Sequence, residues 1–305
     1  MSVAAITHQR LTWVNIVSAT PEDVAYLRKH YAFHPLDLED ILSQNERPKI
    51  DEYDDYLFIV MQFPVYDPER QLTRSSEVDF FIGAGYLITI HEGHLKPLNR
   101  LFEACHDDGV ARAKHMSRGA GRLLYSILDG MVDYNFTILR KVDGKIRLIE
   151  ENMFTEDMRG IVQELSLVRR DIIALRRVVK PQIAIVSNLE RKDRPFIQEE
   201  LDVYFGDIAD GFSRAWDILE DYQEVIEGLS STSDSVTSYR INDVIRVLTV
   251  ISVIMLPLTL ISGIYGMNLH WLPAADTVYG FFIIIGVMVL VAGGMLLYFR
   301  KRGFI

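Results

Sequence analysis

Val247-Leu248-Thr249-Val250-Ile251-Ser252-Val253-Ile254-Met255-Leu256-Pro257-Leu258-Thr259-Leu260-Ile261-Ser262-Gly263-Ile264-Tyr265 carries no charged side chain. After Gly266–Asp276, the run Thr277–Phe299 carries none either. Each run is near the ~20 residues that an α-helix needs to cross ~30 Å of hydrocarbon. The connection is too short to hold a domain, so the two runs are expected to form a transmembrane hairpin. Roughly four fifths of the 305 residues precede it, and they are acidic and mixed in polarity. A cytosolic domain on a membrane anchor would satisfy this pattern. An anchor, however, needs no polar stripe, and the first span has one.

Asn242, Thr249, Ser252, Thr259 and Gly263 recur at spacings of seven, three, seven and four, interleaved with Ile245 and Leu256. Those intervals share one face of a helix, and the remaining faces read Val, Ile, Leu and Met. Small and polar residues in that pattern serve either helix–helix packing or the lining of a pore. Pro257 removes one backbone hydrogen bond, which membrane helices tolerate when neighbours or water satisfy the freed carbonyl.

Orientation follows from the basic residues. Arg240 and Arg246 flank the first span and Arg300-Lys301-Arg302 follow the second, whereas the connecting loop has only His270 and Asp276. The positive-inside rule places both termini in the cytoplasm. Met1–Leu11 lacks the apolar core of a cleavable signal. The one cysteine, Cys105, cannot form an internal disulfide and fits a reducing compartment. A net charge of −10 argues against nucleic acid and anionic lipid as partners of the soluble part, and leaves divalent cations open.

The soluble part falls into two zones. From Leu11 to about residue 110 the pattern is that of a small α/β domain. Leu11–Val17 reads as a strand. Thr20-Pro21-Glu22-Asp23 reads as a helix start, with a cap residue, Pro at the first position and acids in the first turn. Tyr56–Phe63 and Val78–Ile90 read as strands, the latter turning at Gly83 and Gly85. From about Arg118 the pattern is helical, with long helices expected over Leu123–Phe154 and Glu156–Leu189; Pro181 predicts a kink or break in the second.

The third helical segment is the most regular. Leu201, Phe205, Ile208, Phe212, Ala215, Leu219, Tyr222, Ile226 and Leu229 alternate spacings of four and three, a heptad seam of the coiled-coil type. Ser230–Ser238 has the composition of a linker, yet the stripe resumes within a few residues. One helix from Phe196 to Tyr265 is therefore expected, roughly 105 Å long at 1.5 Å per residue. A stalk of that length needs partners, so oligomerisation follows.

Tyr265-Gly266-Met267-Asn268, behind Leu256-Pro257-Leu258-Thr259-Leu260-Ile261-Ser262-Gly263-Ile264, resembles the signature of the CorA family of divalent-cation channels. The resemblance spans almost the whole chain. His34-Pro35-Leu36-Asp37-Leu38-Glu39-Asp40-Ile41, Arg47-Pro48-Lys49-Ile50, Asp54-Asp55-Tyr56-Leu57-Phe58, Val78-Asp79-Phe80-Phe81-Ile82 and Leu123–Val132 follow the family's cytosolic domain in order.

The resemblance implies an α+β membrane protein: an N-terminal cytosolic α/β domain (1–115), a long-helix bundle and stalk (116–240), a pore-lining span (241–265), an outer loop with Gly-Met-Asn (266–276), a second span (277–299) and a basic tail (300–305). It implies a funnel-shaped homopentamer in a bacterial inner membrane, not an enzyme, passing Mg²⁺, and also Co²⁺ or Ni²⁺, down its electrochemical gradient. Carried over by position, Asn242, Ile245, Leu248, Ser252, Leu256, Thr259 and Gly263 line the pore. Gly266, Met267 and Asn268 form the filter. The family also senses internal metal between subunits, which sets Asp207, in Tyr204-Phe205-Gly206-Asp207-Ile208, opposite Glu39 and Asp40 of a neighbour. The sequence around Asp207 departs from the family's commoner Asp-Val-Tyr-Asp-His.

A ring of neutral amides at Asn268 can hydrogen-bond to the shell of Mg²⁺, which gives up its water reluctantly, and still release the ion. Gly266 lets the backbone turn towards the axis. The outer loop, Leu269-His270-Trp271-Leu272-Pro273-Ala274-Ala275-Asp276, departs from Mg²⁺-type relatives. It lacks the acid after Pro273, and His270 stands where an acid is common. Imidazole suits Zn²⁺, Co²⁺ or Ni²⁺, which brings in the zinc-transporting branch of the superfamily, although that branch's Gly-Gly-Ile-Pro-like loop is absent. A His beside a Trp also serves as an interfacial anchor. Other motifs do not reach a chemistry. His91-Glu92-Gly93-His94 lacks the spacing of a helical zinc site and reads as a strand end, and Gly119-Ala120-Gly121-Arg122 does not match a phosphate loop, so no nucleotide is expected. A membrane-anchored scaffold without transport is the reading from another class.

Overall fold

The computed structural model describes residues 3–43, 47–70, 72–154, 158–191, 194, 196–197, 199–267, 273 and 278–304. It divides into two compact units, 1–230 and 231–305.

The first unit is built on a six-stranded sheet in the order β1-β2-β6-β5-β4-β3. The strands are β1 (Val3–His8), β2 (Leu11–Val17), β3 (Lys49–Glu52), β4 (Tyr56–Asp67), β5 (Leu72–Gly83) and β6 (Tyr86–His91). Only β2 and β6 pair in parallel; the other neighbours are antiparallel. The expected turn at Gly83–Gly85 joins β5 to β6. A Cβ at Gly83 would meet the Tyr86 ring at 2.6 Å, so glycine is what lets that ring fold over the turn.

Apolar residues run continuously along β4 to β6 because both faces of the sheet are covered. Alternate side chains point to opposite faces. Leu57, Ile59, Met61 and Phe63 of β4 enter one core with Phe80 of β5 and Trp13 of β2. Phe58 and Val60 enter the other with Phe81, Ile88 and Val14. The second core is closed by α1 (Pro21–His30) and α2 (Pro35–Asp40). Thr20 caps α1 in a full capping box with Asp23, an arrangement worth about 1 kcal/mol.

The other face carries α3 (Lys96–Asp107), α4 (Gly109–Met116), α5 (Ala120–Asn152) and α6 (Met158–Arg191). Asp171 of α6, 1% exposed, ties the helices to the sheet. Its Oδ1 accepts from the Thr73 backbone N–H of β5 at 2.7 Å, and Lys145 of α5 lies 3.7 Å from Oδ2. Pro181 does not break α6. Next to it, the Gln182 amide donates to the Val178 carbonyl at 3.0 Å, a second tie one turn back.

The long helix α7 runs from Asp202 to Tyr265, entered by a 3₁₀ turn at Glu199–Leu201. The expected start at Phe196 is corrected: Ile197 sits in a bridge with Arg194, which uses this backbone otherwise. The seam is as expected. Leu201, Phe205, Ile208, Phe212, Ala215, Leu219 and Ile226 are 4% exposed or less, with Tyr222 and Leu229 packed partly on the same core. Ser230–Ser238 is helix rather than linker. Ser230 and Ser235 donate to the carbonyls of Ile226 and Ser231 at 2.8 and 3.0 Å, so hydroxyls that could compete with the helix are tied to it.

In the second unit, 231–265 of α7 is followed by α8 (Val278–Lys301). Both helices are long and apolar enough to cross a membrane.

Candidate functional site

Within 241–265 the stripe lies on one face of an unbroken helix. Asn242, Thr249, Ser252, Thr259 and Gly263 are exposed, as are Ile245, Leu248 and Leu256 at 53, 58 and 68%. The hydroxyl of Thr249 donates to the Ile245 carbonyl at 2.7 Å, and that of Thr259 donates to the carbonyls of Met255 and Leu256 at 3.0 and 2.8 Å. Pro257 is held inside the helix, where its missing N–H leaves the Val253 carbonyl without its i+4 donor.

The helix ends at the motif. Gly266 N–H donates to the Ser262 carbonyl at 2.9 Å and Met267 N–H to Ile264 at 3.2 Å. Gly266 has no positive φ, so the expected reason for glycine changes. A Cβ there would stand 3.1 Å from the Ser262 carbonyl oxygen, a tight contact that glycine avoids without adopting a left-handed turn. Asn268 and His270 lie outside the described residues.

The expected regulatory acids lie on separate elements of one chain. Glu39 is exposed near the end of α2. Asp40 already has a partner: Lys49 Nζ of β3 lies 2.6 Å from its Oδ2 and 2.8 Å from Asp51. Partial burial works to lower the Lys49 pKa, but hydrogen bonds and charge from Asp40 and Asp51 outweigh it and hold the ammonium above its ordinary range. Asp207 is exposed on the second turn of α7, beside acids not singled out in the sequence. Asp129 of α5 is held above the usual carboxylate range by burial, then by Asp133 and Asp207, against the pull of Arg122. The Arg122 guanidinium lies 4.7 Å from the ring centroids of both Tyr125 and Tyr204. Asp129 and Asp133, an i,i+4 acidic pair, were readable as a helix face. Their meeting with Asp207 required the packing of α5 on α7. Among the described residues, no three His, Cys, Asp or Glu side chains converge to hold a metal within one chain.

Residues 8–301 match the model of the CorA-like Mg²⁺ transporter protein family. The chain belongs to this family. It is 32% identical over 293 residues to the cobalt/magnesium transport protein CorA of Thermotoga maritima, covering 95% of this chain and 82% of that protein. It is 21% identical to the zinc transport protein ZntB of Pectobacterium carotovorum, over 97 and 88% of the two chains. In fold it matches the complete structure of the CorA magnesium transporter from Methanocaldococcus jannaschii, with a TM-score of 0.86 at 24% identity, covering 98 and 94% of the chains. CorA membership and the two apolar helices make this a membrane protein.

Proposed function

We propose that the protein is a homopentameric CorA-type channel that admits divalent cations, Mg²⁺ first and Co²⁺ or Ni²⁺ besides, into the cytoplasm of a bacterium across its inner membrane. The observation that carries this reading is the uncharged polar stripe from Asn242 to Gly263, which falls along one face of the unbroken helix α7. Five copies of that face enclose a lumen in which Asn242, Ser252 and Thr259 meet the hydrated ion. Rings of Ile245, Leu248 and Leu256 form apolar constrictions that close by dewetting. Gly266, Met267 and Asn268 make the outer filter, whose amides bind the ion through its water. The membrane potential supplies about 4.6 kcal/mol for a double charge per 100 mV.

Metal in the cytoplasm closes the channel by bridging Asp207 of one subunit to Glu39 and Asp40 of the next. One observation on the single chain supports this reading: Asp207 lies close enough to Asp129 for its charge, with that of Asp133, to be felt there. Lys49 must yield part of its hold on Asp40 when metal binds, which makes the site a competition between an ammonium and a divalent ion. Flux into proteoliposomes with Mg²⁺, Co²⁺, Ni²⁺ and Zn²⁺ in parallel tests the function. Flux of none of them would leave a membrane-anchored scaffold.

A second reading, zinc transport, is favoured by His270 in the outer loop and by the likeness to a protein named for zinc transport. It predicts that Zn²⁺ outruns Mg²⁺ in the same vesicles.

A further inference from the structure

At one end of the sheet, three turns enclose a cleft of about 750 Å³: residues 30–35 between α1 and α2, 53–56 at the start of β4, and 84–86 between β5 and β6. None of it belongs to the ion pathway or the acidic interface. Its walls are aromatic, formed by Tyr31, Phe33, Tyr53, Tyr56 and Tyr86. The rings brace one another. Tyr31 lies on Phe33 at 5.1 Å and meets Tyr86 edge-on at 4.9 Å, while Tyr53 stacks on Tyr56 at 4.5 Å and Tyr56 lies 4.9 Å from Phe33. Walls built this way are set before any ligand arrives.

Asp54 and Asp55 stand exposed at the lip, and no Lys or Arg lines the cleft among the described residues. Behind the rings, Asp37 is 1% exposed and accepts hydrogen bonds from Tyr53 Oη at 3.0 Å and Tyr56 Oη at 2.8 Å. Burial, then Tyr31 and Asp55, push the Tyr86 phenol up to about 12, so it remains protonated and neutral. The two histidines at the rim are engaged locally. His30 Nδ1 pairs with the Tyr26 carbonyl at 2.8 Å, and His34 Nδ1 accepts from the Leu36 N–H at 3.3 Å.

We propose that this cleft is a cytoplasmic binding site for a small organic cation, held by its alkylammonium head against the tyrosine faces and balanced by Asp54 and Asp55. A cation within about 6 Å of ring centroids is attracted by their quadrupoles, most strongly where water is excluded. The volume lies in the range of small-molecule sites. Hydrated Mg²⁺ is the wrong ligand for such walls, because it keeps its water and seeks oxygen. An alkylammonium ion spreads a single charge over carbon and sheds water readily. The site uses no residue of the transport reading; only its placement in the cytoplasm rests on that reading.

Calorimetric titration of the purified full-length protein with choline, and with its neutral isostere 3,3-dimethyl-1-butanol, tests the proposal. Choline is expected to bind saturably and the isostere about tenfold more weakly or not at all. Tyr53→Leu keeps bulk but removes a ring face, and is expected to weaken choline about tenfold. Asp55→Asn should weaken it a fewfold and flatten its salt dependence. Tyr86→Phe should leave affinity within about twofold, since it retains the face. Melting is followed for every variant; should Tyr53→Leu fail to fold, Asp55→Asn and the isostere still decide. Absence of saturable choline binding at millimolar concentration, equal binding of the isostere, or undiminished affinity in Asp55→Asn would each overturn the assignment.

Discussion

The two halves of α7 share a period and differ in everything else. From Leu201 to Leu229 the spacing of four and three selects apolar side chains, and their burial is completed inside the same chain. From Asn242 to Gly263 the same alternation places amide, hydroxyl and glycine among Ile245 and Leu256, and these positions are exposed. In water an exposed leucine is costly and a threonine is not. In hydrocarbon the ranking reverses, and it is the polar position that demands a partner or water. Periodicity identifies a face in both solvents. What the face is for depends on which solvent the other faces occupy.

The sharpest way to break this comparison is at the end of the membrane half. Asn268→Ala should reduce divalent flux into proteoliposomes by roughly an order of magnitude or more while melting and oligomer size stay unchanged. Normal flux would remove Asn268 from the filter. The reciprocal change in the seam, Phe212→Ala, should cost about 3–5 kcal/mol in denaturant unfolding of the first unit, because it opens a cavity in a core position 1% exposed. A loss below about 1 kcal/mol would mean the seam is not packed as described.

A titration separates the units by another route. Burial, reinforced by His94, lowers the His91 pKa to about 4, against an ordinary 6.5. His91 Nε2 pairs with Asn15 Oδ1 at 3.0 Å and Nδ1 accepts from the Gly93 N–H at 3.0 Å, which is a neutral tautomer's pattern. Between those two values the unfolded chain binds the proton and the folded chain does not. Stability of the first unit should therefore fall as pH drops from 6.5 to 4, by on the order of 3 kcal/mol. His91→Gln should flatten that slope, and an unaltered slope in its melting curves would assign the proton elsewhere.

Smaller effects are expected at the interface and the outer loop. Asp207→Ala with Asp40→Ala should raise the internal Mg²⁺ needed for half-inhibition severalfold and shrink the protection that Mg²⁺ gives against proteolysis. Unchanged inhibition and protection would remove sensing from this interface. His270→Ala should alter Mg²⁺ and Zn²⁺ flux by a similar, small factor if the ring only anchors the loop. Selective loss of Zn²⁺ flux would instead make it a ligand and favour the zinc reading.

The helical half of the fold was legible because its signals are long: a seam of nine positions and two uncharged runs leave no competing period. The cap at Thr20 and the turn at Gly83–Gly85 were legible because each rests on local chemistry. The strands that escaped, β1 and β3, are short edges whose residues include Ala4-Ala5 and Lys49, Asp51 and Glu52, poor advertisements for a sheet. Lys49 as the partner of Asp40 was not readable, since the pairing joins the end of α2 to the edge strand β3 rather than following from spacing. The candidate pore face was legible as a stripe, but its enclosure depends on copies of the chain that one sequence does not place.

The threonines of that face carry one more consequence. Thr249 and Thr259 have committed their protons to carbonyls of their own helix, so what each hydroxyl offers beyond the helix is lone pairs alone. Fivefold repetition of the proposed pore face would set two rings of lone pairs, at Thr249 and Thr259, where they can receive protons from the water around a cation, while donors remain at Asn242. In such a proposed conduit those two rings would favour a cation through its water without a formal charge of their own.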